Sequence, residues 1–86
     1  MRRVHYKLHG VKYYAICQDD EKPIDAVIRS MKQKPGVAHV SFGSIGVGVN
    51  RAGLISSREY YLSVCGPKDK TGGWPVVAEM RLSLPE

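Results

Sequence analysis

An alternating run near the C-terminus constrains the fold of this chain more than any other stretch. From residue 76 to residue 84, every second residue is apolar, and all but one of the residues between them are polar. One face of the run carries Val76, Ala78, Met80, Leu82 and Leu84, and the other carries Val77, Glu79, Arg81 and Ser83. A period of two is typical of a strand with only one face buried. The run therefore predicts a strand with a core on one side and solvent on the other.

A second alternating run lies just before it and predicts its partner. Tyr60, Leu62 and Val64 share one face of this run, and residues 66–73 that follow are rich in turn-forming Gly, Pro and Asp. Two such runs joined by turn formers predict a long β-hairpin over 58–84. Trp74 stands where the loop meets the second strand. Two interpretations of Trp74 remain open: it closes the end of the core, or it is an exposed aromatic anchor for binding.

The N-terminal residues also alternate. Val4, Tyr6 and Leu8 share one face, and the same pattern resumes after His9-Gly10 over residues 11–17. Gly readily adopts positive φ and His occasionally does, so His9-Gly10 fits a two-residue hairpin turn, although a bulge within one long strand has the same pattern. We favour the hairpin.

One helix is predicted, from about Pro23 to Lys34. Its apolar side chains recur at helical spacing, which places them on a single stripe: Ile24, Val27, Ile28 and Met31. Acidic residues precede the helix and lysines gather near its end, where each complements the helix dipole. Pro23 suits the first turn, and Pro35-Gly36 ends the helix. A narrow stripe indicates one face on a sheet and the other in water.

The middle of the chain is β-like and rich in glycine. Ala38, Val40 and Phe42 predict one short strand, and a second is expected after Gly43-Ser44, with residues 50–57 as a loop. The bare side of Gly46 and Gly48 implies either close approach of another group or a strand that is exposed and weak there. We therefore expect a single α+β domain over 1–86: a mainly antiparallel sheet of about five to six strands, ordered ββαβββ(β), with one helix packed on one face.

Length and composition exclude several classes of protein. With 86 residues the chain has room for one modest core, and its two cysteines are too few for a disulfide scaffold. We expect Cys17 and Cys65 to be unpaired, buried thiols. The basic N-terminus is not followed by an apolar segment, and no run reaches the ~18 apolar residues of a membrane span. The expected setting is cytoplasmic, without membrane association.

Motifs for cofactor, metal or catalytic chemistry are weak. The run GSIGVG lacks the Lys-Ser/Thr of a phosphate-binding loop and does not open a helix. His5 and His9 would lie about 13 Å apart on a strand, too far to share one metal ion. A cysteine with His39 is the simplest conceivable dyad, but neither cysteine stands at a helix N-terminus, where a thiolate is favoured. We expect no cofactor, no metal and no enzymatic activity.

The distribution of charge is the remaining functional signal. The net charge is +5, the first dozen residues hold four basic residues and no acid, and residues 26–58 again lack acids. Basic side chains beside an exposed aromatic on a sheet are typical of surfaces that hold single-stranded nucleic acid, although the same alternation also gives a merely solvated face. The candidate binding residues are Arg3, His5, Lys7, Lys12, Tyr14, Arg51 and Trp74.

Two functional hypotheses follow. The first is a small binding module whose basic surface engages nucleic acid or a nucleic-acid-handling complex. The second is a protein–protein interaction module, either a homo-oligomer or an inhibitor or accessory subunit, because a thin core and open strand edges favour pairing with another chain.

Overall fold

The computed structural model describes residues 1–85 and confirms the α+β class. Five strands and one helix follow in the order β1 (Arg2–Leu8), β2 (Val11–Cys17), α1 (Pro23–Lys32), β3 (His39–Val49), β4 (Ile55–Cys65) and β5 (Val76–Pro85). The strands form two antiparallel sheets, β1–β2 and β3–β4–β5, where one sheet of five to six strands was expected. Alternation along a strand predicts which face of the strand is buried, but it carries no information on which strand edges pair. The division of the strands into two sheets was therefore not predictable.

The β1–β2 hairpin is confirmed. Leu8 pairs with Val11 across the turn, and the two turn residues both adopt positive φ, 52° at His9 and 75° at Gly10. Positive φ at both central positions matches the right-handed twist of the flanking strands. The turn fixes the register, which in turn fixes the side chains that share each face of the hairpin.

Helix α1 packs its predicted apolar stripe onto both sheets. It begins at Pro23 and ends at Lys32, two residues before the predicted end. The helix ends there because the backbone N–H groups of Gln33 and Lys34 donate to the carbonyl groups of Ser30 and Met31, three residues back rather than four. One core joins the helix to the strands. Its fully enclosed members include Met31, Leu62, Val27, Val64 and Cys17.

A hydrogen bond between two buried hydroxyl groups lies in this core. The hydroxyl groups of Tyr6 and Ser30 lie 2.6 Å apart, and both side chains are buried. Burial of a hydroxyl without a partner is costly, so the pair satisfies two groups at once. The contact links β1 to α1.

The middle of the chain differs from expectation. Residues 39–49 form one long strand rather than two short ones, and β4 already begins at Ile55, inside the predicted loop. The reason is a register shift between Ser44 and Gly46, which inserts Ile45 as a bulge without ending the strand. The bare sides of Gly46 and Gly48 face Glu59 and Ser57 on the neighbouring strand.

The two strands extend beyond the helix as a protruding hairpin, which we call the arm (residues 45–57). The protein accordingly measures 52 × 25 × 24 Å. At the tip, the side-chain oxygen of Asn50 accepts bonds from the backbone N–H groups of Ala52 and Leu54, and Gly53 has φ 77°. At the other end of the sheet, Val76 was expected in the core but is 53% exposed.

Candidate functional site

The face of the β1–β2 hairpin that points away from α1 carries five of the seven predicted site residues. Cross-strand pairing places His5 opposite Tyr14 and Lys7 opposite Lys12, and Arg3 lies two pairs beyond His5 on the same face. All five side chains are exposed. Their convergence follows from the hairpin turn, because directly opposed residues share a face.

The ring of Tyr14 is the centre of this group. The guanidinium carbon of Arg3 lies 5.0 Å from the centre of the ring, and the His5 ring is 6.2 Å away. Tyr14 is still 51% exposed. A cation over one face of the ring holds it in place by attraction to the ring quadrupole. The site thus contains an exposed aromatic surface that is already oriented.

Strand β5 lies beside β1 and extends the site. Arg2 lines one cleft together with Leu84, and Tyr6 lines another together with Met80, so β1 and β5 run side by side in opposite directions. No ladder joins them in the described part of the chain. The open seam forms a groove of about 540 Å³, which we call the seam groove.

The seam groove has an apolar floor and a basic rim. Tyr6, Met80 and Leu82 form the floor, since they belong to the faces turned toward the core. The rim is formed by His5, Lys7, Lys12 and Arg81, and no acidic side chain lines the groove. An anionic ligand with an apolar or aromatic part therefore matches both surfaces of this groove.

A second exposed tyrosine lies on the far side of the groove. Tyr61 on β4 pairs with Arg81 on β5 and is 38% exposed. A hydrogen bond to the Glu79 carboxylate raises the pKa of Tyr61, and partial burial raises it further. The Tyr61 hydroxyl therefore stays neutral and donates to Glu79, which orients the ring.

The structure does not bring the last two predicted residues to this site. Arg51 lies in the turn at the tip of the arm. Trp74 lies in the loop between β4 and β5 and is 47% exposed, so the interpretation that it closes the core is wrong. The centre of the Trp74 ring is 5.9 Å from that of His39, and the Lys68 ammonium is 5.2 Å from it.

Arg81 and Tyr61 were absent from the predicted site. The sequence did place both on the face opposite the core, because Arg81 alternates with the apolar residues of β5 and Tyr61 with those of β4. What it lacked was the position of β5 beside β1. That adjacency arises from long-range packing through the helix, which local alternation does not encode.

Potential metal ligands and the cysteines were candidates for chemistry outside this face. Nowhere in residues 1–85 do three His, Cys, Asp or Glu side chains lie close enough together to hold a metal ion. His39 and Cys65 are cross-strand neighbours, and Cys65 is 7% exposed. Both cysteines are free and buried.

Comparisons with known proteins do not assign the chain to a family. No protein-family model, curated protein or solved structure matches it. Within residues 1–85, no helix has the length and apolar character needed to cross a membrane.

Proposed function

We propose that this protein binds single-stranded nucleic acid on the sheet face opposite α1, across the seam groove. The observation that carries the proposal is the convergence of a basic rim, an apolar floor and two flanking tyrosines on one face. Proteins that hold single strands combine a positively charged groove for the backbone with aromatic rings on which bases stack. Each of these parts lies within a few strands of the others here.

The charges of the domain are separated in a way that suits an anionic ligand. Four of the acids, Asp19, Asp20, Glu21 and Asp25, lie between the end of β2 and the first turn of α1. Two of them are paired: Asp19 with the chain's N-terminal ammonium group, and Glu21 with Arg29. The seam groove is lined by basic side chains without an acid. Phosphates would therefore be attracted to the groove itself, while the Glu79 carboxylate lies beyond it and accepts a hydrogen bond from Tyr61.

The exposed tyrosines favour single-stranded over double-stranded ligands. Tyr14 lies on β2 and Tyr61 on β4, so one ring flanks each side of the seam. Bases are free to stack on such rings only when they are not already stacked within a duplex. Phosphates between two stacked bases would then lie over Arg81, His5 and Lys7.

The test is oligonucleotide binding as a function of salt. A fluorescently labelled single strand of about 10 nucleotides spans a site of this kind. Anisotropy titrations over a salt series should give tighter binding at low salt, with a logarithmic slope of about −0.7 for each phosphate contacted. Lys7→Gln/Lys12→Gln should weaken binding and reduce the slope by about 1.4, because two contacts are lost.

Lys22→Gln/Lys32→Gln is the matched control, since it removes the same charge from exposed positions on the helix side. Binding by this control should remain close to wild type. Equal losses in the two double variants would show that only net charge matters, and salt-independent or absent binding by the wild type would refute the proposal.

A further inference from the structure

Trp74, the single tryptophan of the chain, stands exposed on the loop between β4 and β5. The residue is 47% exposed, and the Lys68 ammonium lies over its ring, 5.2 Å from the ring centre. The His39 ring lies 5.9 Å away, centre to centre. A cation over an indole holds the ring by attraction to its quadrupole and leaves the rest of the ring free for a ligand. We call Trp74, Lys68 and His39 the loop cluster.

Hydrogen bonds within the loop fix the position of Trp74. The Asp69 carboxylate accepts bonds from the backbone N–H groups of Thr71 and Gly73 and from the Thr71 hydroxyl. The carbonyl groups of Gly73 and Pro75, the two chain neighbours of Trp74, each accept a further backbone bond. Because both neighbours are anchored, a ligand that binds the indole has little loop motion to suppress, which lowers the entropic cost of binding.

The strand register places the loop cluster on the same face of the sheet as the seam groove. His39 pairs with Cys65 on β4, and Cys65 shares a face with Tyr61 because the two are four residues apart on one strand. Tyr61 in turn pairs with Arg81, which lines the groove. At about 3.3 Å per residue, the loop cluster lies roughly 13 Å from Tyr61 along the strand.

The surface between Tyr61 and the loop cluster is polar and open. Gly43 pairs with Tyr61, and a side chain at Gly43 would meet nothing within 4 Å. Ser41 pairs with Ser63 one step nearer the cluster, and such hydroxyl groups commonly bond phosphate oxygens in nucleic-acid interfaces. Glu79 lies on the other side of β4, on β5, and β3 itself carries no acidic residue. A route over β3 and β4 therefore avoids the Glu79 carboxylate.

We propose that a single-stranded nucleic acid bound in the seam groove continues over β3 and β4 and stacks a base on Trp74. This inference rests on the proposed nucleic-acid binding and adds the direction and extent of the bound strand. The roughly 13 Å between Tyr61 and the cluster corresponds to about four nucleotides at the 3.4 Å axial spacing of stacked nucleotides. The extended site still falls within the roughly 4–16 nucleotides that small single-strand-binding folds cover.

The charges of the loop suit a ligand that carries phosphates. Residues 66–75 include two exposed lysines, Lys68 and Lys70, and one acid, Asp69. The Asp69 carboxylate is engaged by three donors of its own loop. The Lys68 ammonium, in contrast, lies next to the stacking surface, where it can contact the phosphate beside a stacked base. A cation next to an exposed aromatic ring is the combination that holds single strands.

The test uses the fluorescence of Trp74, which can be excited selectively because the chain has one tryptophan. Titration with an unlabelled single strand of about 12 nucleotides should quench this fluorescence as a base stacks on the indole. Lys7→Gln/Lys12→Gln should shift the midpoint of quenching by the same factor as the midpoint of anisotropy, because one strand occupies both places. Phe42→Trp/Trp74→Tyr moves the indole to the helix side and should show no quenching.

Substitutions along the route provide a second measurement, by anisotropy. Trp74→Leu should lower the affinity for the same strand about 5- to 150-fold, whereas Trp74→Tyr keeps an aromatic ring and should retain most of it. Ser41→Glu places a carboxylate on the route and should also weaken binding. Ser56→Glu is the matched control, since it makes the same change at an exposed serine of the arm and should bind like wild type.

The outcomes distinguish this inference from the proposed function on which it rests. Salt-dependent binding without quenching of Trp74, or with unchanged affinity in Trp74→Leu, would overturn the inference and leave binding in the seam groove intact. Quenching that Lys7→Gln/Lys12→Gln does not shift would indicate a separate site and would also overturn it. Absence of binding to the wild type would refute both. Thermal unfolding of each variant verifies that the fold is retained.

Discussion

The guanidinium carbon of Arg3 lies 5.0 Å from the centre of the Tyr14 ring, across the exposed face of the β1–β2 hairpin. The contact holds two rotamer-rich side chains in one arrangement before any ligand arrives. A base that stacks on this pair meets a planar ring and a planar cation that are already positioned, which lowers the entropic cost of binding.

Replacement of Tyr14 by leucine should weaken the binding of a single-stranded oligonucleotide. Loss of one stacked base costs about 1–3 kcal/mol, equivalent to a fall in affinity of about 5- to 150-fold. Tyr14→Phe keeps the ring and should bind like wild type. Phe42→Leu changes another exposed aromatic, on the helix side, and should have no effect in anisotropy titrations at nanomolar protein concentration. Equal affinity of Tyr14→Leu and wild type would exclude stacking at this position.

The Tyr61–Glu79 hydrogen bond should make stability depend on alkaline pH. Because the pKa of Tyr61 is raised in the folded state, the contact stabilises the protein fully below about pH 10 and is lost as the pH rises through the raised value. Glu79→Gln should bring the pKa of Tyr61 back toward its ordinary value. An NMR titration of the Tyr61 ring resonances measures this change, and an identical titration curve in the variant would disprove the contact.

The buried Tyr6–Ser30 pair should be energetically coupled. Tyr6→Phe leaves the Ser30 hydroxyl buried without its partner and should lower the free energy of unfolding by about 1–3 kcal/mol. Tyr6→Phe combined with Ser30→Ala removes both groups and should cost less than the sum of the single changes. Tyr14→Phe alters an exposed tyrosine and should stay within about 0.5 kcal/mol of wild type. Urea unfolding of the four variants measures the coupling, and strict additivity would rule it out.

The Glu21–Arg29 ion pair should contribute stability that depends on acidic pH. Hydrogen bonds from Arg29 lower the pKa of Glu21 below 4.5, and Arg29 also donates to the Ile16 carbonyl. Because the pKa of Glu21 is lower in the folded than in the unfolded state, the ion pair stabilises the folded state at pH values above the unfolded pKa. This stabilisation is lost as the pH falls through the folded pKa. Glu21→Gln should therefore melt below wild type at neutral pH, with the difference shrinking under pH 4.5. A difference that stays constant down to strongly acidic pH would contradict this assignment.

Local sequence patterns predicted which face of each strand is buried better than they predicted which strands lie next to each other. The alternation around Tyr6 and Leu62 placed both in the core, and the helix stripe ending at Met31 was correct, because these signals depend only on local periodicity. The hydrophobic pattern around Phe42 was less informative. It marks the correct face, but the helix does not extend over that part of the sheet, so Phe42 stays half exposed.

The candidate site shows the same difference between what local patterns predict and what depends on long-range packing. The hairpin turn at His9-Gly10 was sufficient to bring Lys7 and Lys12 together, because a two-residue turn determines the pairing on its own. The contribution of Arg81 depends on the position of β5 beside β1, a contact between residues about 75 positions apart in a chain of 86. Trp74 lies outside the core, and its ring contacts His39 and the Lys68 ammonium instead.

Because no ladder joins β1 and β5 in the described residues, backbone hydrogen bonds do not fix the width of the seam groove. In a paired ladder, hydrogen bonds hold neighbouring strands about 4.8 Å apart. Here the spacing depends on side chains such as Tyr6 and Leu82 and on the helix that spans both sheets. A change in the spacing between β1 and β5 would therefore break no backbone pairing between strands of the described residues.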